Sequence, residues 1–149
     1  MTYENLHQDV HSSLLKMCKD FITDNGLTGF QVFDFDAHAS LNEIPEQHLV
    51  GVGEYALRED VDSYQGECMI IISTLQTDAN LKVLRPAVSK MFARLKAGRD
   101  IQLVQSTNAL SLGNLRIKEG TEAMPVARTE SRPLVGINIS FGLALLSPP

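Results

Sequence analysis

The chain has no tryptophan, and aromatic residues make up only 6% of its 149 residues. Its 44% hydrophobic and 21% charged residues are nevertheless typical of a globular protein and exclude a disordered or fibrous one. A chain of this length has the size of one domain and can fold without disulfides or a structural metal. We therefore expect a single domain over residues 1–149, with residues 147–149 as a free tail.

Cysteine is also scarce, since the chain contains only Cys18 and Cys68. The two lie far apart and fit no zinc or redox spacing. Cys18 lies among apolar helix positions and Cys68 opens an apolar run, so both are predicted to be buried thiols. Free thiols of this kind favour a reducing compartment.

The sequence has no apolar run long enough to span a bilayer as a helix. The longest candidate, residues 134–146, is too short and is interrupted by Asn138 and Ser140. Residues 1–9 are polar and carry no signal-peptide core. We expect a protein made in the cytoplasm, with no membrane partner. Its net charge of -5 argues against non-specific nucleic-acid binding.

Motifs of known catalytic and cofactor sites are missing. The sequence contains no G-x-S-x-G, Walker or H-E-x-x-H pattern. The single G-x-G, Gly51-Val52-Gly53, falls inside a predicted strand, whereas a dinucleotide loop needs a helix N-terminus behind it. The sequence thus predicts no catalytic residue and no cofactor, and favours a non-enzymatic protein.

Candidate metal ligands occur in pairs rather than in complete sets. His7 and His11 are four residues apart on a predicted helix, but no third ligand accompanies them. The two D-x-D pairs are Asp34 with Asp36 and Asp60 with Asp62. Neither pair has the glycine and distal glutamate of a calcium loop. We expect a solvated helix face and turn-capping carboxylates, and no metal site.

Two amphipathic helices are predicted. The first spans residues 3–23 and ends at Asp24-Asn25-Gly26, which is a strong stop signal. The second spans residues 81–97, with an apolar stripe that includes Phe92. Asp78 or Asn80 would cap the second helix, and Pro86 would either kink it or mark its true start.

Six strands are predicted between and after these helices. They cover residues 30–35, 49–57, 67–75, 101–105, 109–118 and 134–146, with polar loops at 36–47 and 58–65 and a polar connection at 122–132. Because strands that follow one another directly favour antiparallel pairing, we expect an α+β fold. It would be a mostly antiparallel sheet packed by two helices, in the order α-β-β-β-α-β-β-β.

The last strand has the clearest pattern. Hydrophobic residues alternate strictly from residue 135 to 145, which predicts one buried face. The opposite face holds Gly136, Asn138, Ser140, Gly142 and Ala144. This face lacks the charged residues that usually prevent exposed strands from associating with other chains. One interpretation is contact with another subunit, and the other is a simple solvent-exposed face.

The second predicted helix and the residue just after its end carry a basic cluster in this acidic protein. It comprises Arg85, Lys90, Arg94, Lys96 and Arg99. Cations near a helix C-terminus complement the helix dipole, which explains Lys96 and Arg99. The alternative is a surface that faces phosphates or an acidic partner.

This layout resembles the tail terminator proteins of long-tailed bacteriophages and phage-like tails. The features that carry the resemblance are an amphipathic helix at 3–23, an exposed loop at 59–66 before the central strand, and Thr77-Asp78-Ala79 leading into the second helix. Strands then close the chain, the last one long and alternating. The layout covers nearly the whole chain.

The resemblance implies a homohexameric ring, located in the virion, that ends tail-tube growth and joins tail to head. Its partners would be other copies of the chain, the tail tube protein, neck or connector proteins, and double-stranded DNA in transit. The interface would use the outer residues of the last strand. Lys90, Arg94, Lys96 and Arg99 would face the lumen, and Asp60, Asp62 and Tyr64 would make axial contacts.

Three alternatives stay open from the residues alone. The first is another neck or head-completion protein. The second is a small-ligand-binding regulatory domain that uses Asp34 and Asp36. The third is a hydrolase with a carboxylate or histidine site, which the spacing of these residues in the sequence does not support.

Overall fold

The computed structural model of the chain describes residues 5–37, 45–61, 63–108, 110–118, 122–125 and 132–146. Within them lie two α-helices and seven strands. They are α1 (Leu6–Asp24), β1 (Phe30–Asp34), β2 (His48–Glu59), β3 (Tyr64–Ser73), α2 (Leu84–Arg94), β4 (Asp100–Val104), β5 (Ser111–Ile117), β6 (Glu122–Pro125) and β7 (Leu134–Leu145). The α+β class and the alternation of elements predicted from the sequence are confirmed.

The first helix ends at its predicted stop signal. The Asn25 side-chain amide donates a hydrogen bond to the carbonyl of Phe21 at 2.9 Å, and the Leu27 N–H donates to the carbonyl of Ile22 at 3.0 Å. Between them, Gly26 has φ 59°, a left-handed conformation that glycine adopts without steric cost. These contacts satisfy the last carbonyls of α1 and turn the chain toward β1.

The second helix is shorter than predicted. α2 covers Leu84–Arg94 and follows a separate 3-10 turn, Ala79–Leu81. The Asp78 carboxylate accepts hydrogen bonds from the N–H groups of Val83 and the next residue, each at 3.0 Å, so Asp78 is the capping residue. Pro86 lies in the first turn, where the N–H needs no intrahelical acceptor. The proline therefore marks the true start of the helix and does not kink it.

One sheet contains all seven strands, in the order β1-β2-β3-β7-β5-β4, with β6 paired to β7 outside this path. Every pairing is antiparallel except that of β1 with β2, which is parallel with Phe30 opposite His48. The expectation that consecutive strands pair antiparallel is thus wrong for this pair. The connection that allows parallel pairing spans residues 35–47.

The polar connection predicted at 122–132 contains a strand. β6 pairs antiparallel with β7, with Glu122 opposite Asn138 and Pro125 opposite Val135. A four-residue strand with no apolar alternation gives no sequence signal, and its pairing depends on β7 being alongside.

The loop predicted at 58–65 is shorter than expected, because both of its ends belong to strands. β2 and β3 pair as far as Glu59 opposite Tyr64, which leaves a tight turn closed by the Asp60 N–H donating to the Ser63 carbonyl at 2.7 Å. The pairing of β5 with β4 contains a register shift at Gly113, which has φ 133°. Neither helix in the described part of the chain is long and apolar enough to cross a bilayer.

The core lies between the two helices and one face of the sheet. It includes Leu14, Cys18 and Phe21 of α1, Met91 of α2, Ile70 and Ile72 of β3, and Ile137, Ile139 and Phe141 of β7, all at most 3% exposed. Each side chain of this size contributes about 1.5–3 kcal/mol when fully buried. Both cysteines are buried and free, as predicted. Residues 1–4, Asp62 and the predicted tail at 147–149 lie outside the described residues.

Candidate interaction surfaces

The even-numbered residues of β7 lie on the sheet face opposite the helices. Asn138 and Ala144 are exposed, Ser140 and Gly142 are half-buried, and Gly136 is buried. The predicted alternation is therefore confirmed from Ile137 to Phe141, whereas Gly136 is buried although it belongs to the face predicted to be exposed. Whether these five residues form a subunit interface stays a prediction.

Neighbouring strands continue this face with polar residues at its Gly142 end. There Gly142 pairs with Gln65 of β3 and with Arg116 of β5. Arg116 donates a hydrogen bond to Asp100 of β4 at 3.0 Å, and this bond lowers the pKa of the Asp100 carboxyl. At the other end the face is apolar and covered, because Gly136 pairs with Ile71, which is 7% exposed.

A shallow groove crosses the face beside Gly142. It is lined by residues that include Ala56, Arg58, Glu67, Lys118 and Ser140. A Cβ atom built on Gly142 would lie 3.5 Å from the Lys118 Cε, which is an ordinary van der Waals contact. The position can therefore accept a side chain without displacing the backbone.

The four cations predicted to face a lumen do not share one environment. Lys90 and Arg94 belong to α2, whereas Lys96 and Arg99 follow its end. Arg94 donates a hydrogen bond to the Asp24 carboxylate at 3.1 Å and so ties the end of α2 to the end of α1. The other three are exposed.

One side of α2 presents an exposed aromatic ring between cations. Arg85, Ser89 and Phe92 follow the spacing of residues on one helix face, and Lys96 continues it just past the helix end. Phe92 is 38% exposed, so its predicted place in the buried stripe is wrong. The helix buries Leu84, Ala87 and Met91 instead. We call Arg85, Ser89, Phe92 and Lys96 the α2 stripe.

Charge is strongly segregated along the chain. Six of the 13 Lys and Arg residues lie between positions 79 and 99, and none of the 18 Asp and Glu residues does. Positions 54–67 hold five acidic residues against the single cation Arg58. The net charge of -5 is therefore the sum over a chain that contains one basic and one acidic segment.

The acidic segment forms the outer end of the β2–β3 hairpin. Glu59, Asp60 and Val61 are all exposed, and Val61 is 98% exposed. Tyr64, predicted to lie in the same exposed loop as Asp60, is instead the first residue of β3. Its side chain is half-buried and packs against the core. We call residues 59–61 the hairpin tip.

Histidine and aspartate residues that the sequence suggested in separate pairs meet in one cluster. The His11 Nε2 lies 3.5 Å from the Asp34 Oδ1, and ligand atoms of His11, Asp34 and Asp36 all lie within 4.8 Å of one another. The ring of His11 packs edge-on against Tyr55, with ring centroids 5.4 Å apart. His7 joins the cluster through its backbone carbonyl, which accepts from the Tyr55 hydroxyl at 3.3 Å, and through its ring, which lies edge-on to that of Tyr55 with centroids 6.4 Å apart.

Asp36 has a structural task in this cluster. Its two carboxylate oxygens accept hydrogen bonds from the N–H groups of Glu54 and Tyr55, at 2.8 and 3.1 Å. Both residues sit in the β2 bulge, and Glu54 has φ 50°. The carboxylate thereby satisfies donors that the bulge removes from the ladder. Burial, assisted by Cys68, raises the pKa of Tyr55, so its hydroxyl stays a donor.

A second polar cluster joins the strand ends where β2 begins and β3 stops. Arg132 donates to the Ser73 hydroxyl at 2.6 Å and to the carbonyl of Pro45 at 3.1 Å, and also bonds the carbonyl of Gln47. No sequence pattern predicts this role, since the partners of Arg132 are mostly backbone carbonyls of distant segments.

No family model and no curated protein matches the chain. Solved structures do share its fold. One of them, which carries no functional name, superposes with a TM-score of 0.55 at 9% sequence identity and covers 100% of this chain and 99% of its own. This similarity concerns the fold alone.

Proposed function

We propose that the chain is a structural subunit of a ring at the head-proximal end of a phage tail, which ends tube growth and joins tail to head. The observation that carries the proposal is the outer face of β7. It presents Asn138, Ser140, Gly142 and Ala144 as small or short side chains on a sheet face opposite the helices. Such a face allows the backbone of a neighbour to approach closely.

The order of elements supports the same proposal. A long first helix, a hairpin that projects before the central strand, a helix capped by Asp78 and a long closing strand correspond to the layout of tail terminators described above. This correspondence runs through the described part of the chain.

The mechanism would be geometric. Contacts between unlike surfaces of successive subunits close into a ring when the rotation between them closes. One ring face would match the last ring of the tail tube and the other would present a different surface to the neck, so tube growth stops. DNA would pass through the centre, where exposed cations such as Lys90 are candidates for the lining.

Substitution of Gly142 by glutamate tests the proposal. The new side chain has room at the surface but places a charge at the centre of the proposed contact, where like or unpaired charge is costly. We expect the wild type to have a light-scattering mass that is a multiple of 16.4 kDa, six-fold for a hexamer, and Gly142→Glu to have the mass of one chain with unchanged unfolding.

Gln8→Glu is the matched control, because Gln8 is exposed on α1 and gains the same charge. It should keep the wild-type mass. An intact ring for Gly142→Glu would contradict the role of β7, and a wild type that stays monomeric at all concentrations would contradict the ring.

The position at the end of a tail has its own test. Added to a polymerising tail tube protein, the ring should stop tube growth and give tubes with one capped end, visible by electron microscopy. Binding to a neck protein without any effect on tube growth would favour the alternative of another head-completion protein.

A second candidate function is metal-dependent ligand binding, and the meeting of His11 with Asp34 and Asp36 favours it. One imidazole and two carboxylates suit a divalent transition metal. Because a ligand that binds only the folded state raises stability, Mn²⁺ or Zn²⁺ should then raise the melting temperature of the wild type and not of Asp34→Asn. No shift in either protein would exclude this function.

A further inference from the structure

We propose that the hairpin tip of one copy docks on the α2 stripe of the next copy. This inference rests on the proposed ring, and it adds a second contact between neighbouring subunits to the one proposed for the outer face of β7. The partner it commits to is a second copy of this chain.

The two surfaces are complementary in charge. The hairpin tip carries the carboxylates of Glu59 and Asp60, with that of Asp62 next in sequence, whereas the α2 stripe carries Arg85 and Lys96. No residue between positions 79 and 99 is acidic. The only ion pair that the described residues form from this basic stretch is the one between Arg94 and Asp24, so the cations of the stripe are left for a partner.

The surfaces also match in their apolar centres. Val61 is 98% exposed between acidic neighbours, and Phe92 is 38% exposed between cations. An exposed aliphatic side chain on a tight turn and an exposed ring on a helix are two of the four large hydrophobic residues left open in the described chain. Aromatic and arginine side chains with an apolar partner are typical centres of protein interfaces.

Within one chain these surfaces do not meet. A Val61 side chain that is 98% exposed is not covered by the α2 stripe of its own molecule. The contact therefore joins two different surfaces on two copies, and a repeated contact of this kind produces a ring or a filament rather than a two-fold dimer.

Charge exchange between the surfaces tests the contact. One variant, Arg85→Glu with Lys96→Glu, makes the stripe acidic; the other, Glu59→Lys with Asp60→Lys, makes the hairpin tip basic. All four positions are exposed, so neither variant should lose stability. Each alone would bring like charges together, and we expect subunit affinity to fall at least about 100-fold.

An equimolar mixture of the two variants should restore the ring. In an alternating ring every acidic stripe meets a basic tip and every basic stripe meets an acidic tip. Sedimentation velocity should show a single-chain species for each variant alone and the wild-type mass for the mixture. Lys90→Glu, which changes an exposed cation of α2 outside the stripe, is the control and should assemble normally.

The outcomes separate this contact from the ring itself. If either variant alone keeps the wild-type mass, the contact is wrong while the ring stands. If both variants are monomers and their mixture is too, the two surfaces do not pair with each other. If the wild type never assembles, both the ring and the contact fail.

Val61→Ser tests the apolar centre of the contact. Because Val61 is 98% exposed, the substitution should weaken assembly without changing stability. Unchanged assembly would count against an apolar centre.

Discussion

Single glycines in the sheet show how differently two positions on adjacent strands tolerate a side chain. At Gly113 a Cβ atom would lie 2.0 Å from the carbonyl oxygen of Ala144, and φ is 133°. At Gly142, on the neighbouring strand, the nearest atom would be 3.5 Å away. Gly113 thus serves the bulge of β5 opposite β4 and lets β5 approach β7 closely, and Gly142 keeps the outer face flat.

Gly113→Ala is therefore expected to lower the free energy of unfolding by about 2 kcal/mol or more, since backbone strain and a clash with main-chain atoms add together. Gly142→Ala should change it by no more than about 0.5 kcal/mol. Guanidinium denaturation of the two variants measures the difference. Equal midpoints would mean that the β5 bulge relaxes freely.

At the scale of elements, the beginning of β2 is fixed to the end of β3 through His48. Its Nδ1 accepts a hydrogen bond from the N–H of Leu75 at 3.1 Å, and its ring lies against Phe30 of β1. Burial lowers the pKa of His48; Asp78 opposes this effect and Arg132 adds to it. The folded protein therefore favours the neutral imidazole.

This lowered pKa predicts a pH dependence. Because the unfolded chain binds the proton more readily, the contribution of His48 is fully present above its unfolded pKa, near 6.5, and is lost as the pH falls through the folded pKa. His48→Asn keeps an acceptor for Leu75 without a titrating group. Denaturation at about pH 7 and about pH 5 should show a larger loss of stability in the wild type, and parallel losses would contradict the role of Nδ1.

At the scale of the whole molecule, both thiols lie in the one core shared by the helices and the sheet. Burial, only partly offset by Arg94, raises the pKa of Cys18 to about 12, and burial also raises the pKa of Cys68. Exposure of either sulfur requires α1 to separate from the sheet, because Cys18 is on α1 and Cys68 lies beneath it on β3.

A thiol reagent should consequently report on global opening. We expect both cysteines of the native protein to react slowly and at the same rate, and both to react at once in concentrated denaturant. Mass spectrometry of labelled peptides gives the two rates separately. A cysteine that reacts much faster than the other would show that part of the core opens by itself.

The elements that could be predicted from the sequence are those that depend on neighbouring residues. The alternation of β7, the stop at Asn25 and Gly26, the cap at Asp78 and the burial of both cysteines all depend on spacing and on conformations that neighbouring residues impose. The α+β class followed from their order. The outer face of β7 could be predicted for the same reason, because period two assigns each residue to one side.

The pairing of segments and the contacts between distant side chains could not be predicted from the sequence and are known from the folded structure. The parallel partner of β1, the strand β6 and the exposure of Phe92 depend on packing against distant segments, which leaves no periodic trace. The meeting of His11 with Asp34 and Asp36 joins α1 to the end of β1 across the fold. The opposite charges of the hairpin tip and the α2 stripe can be seen in the sequence. That they lie on exposed, separate surfaces follows only from the fold.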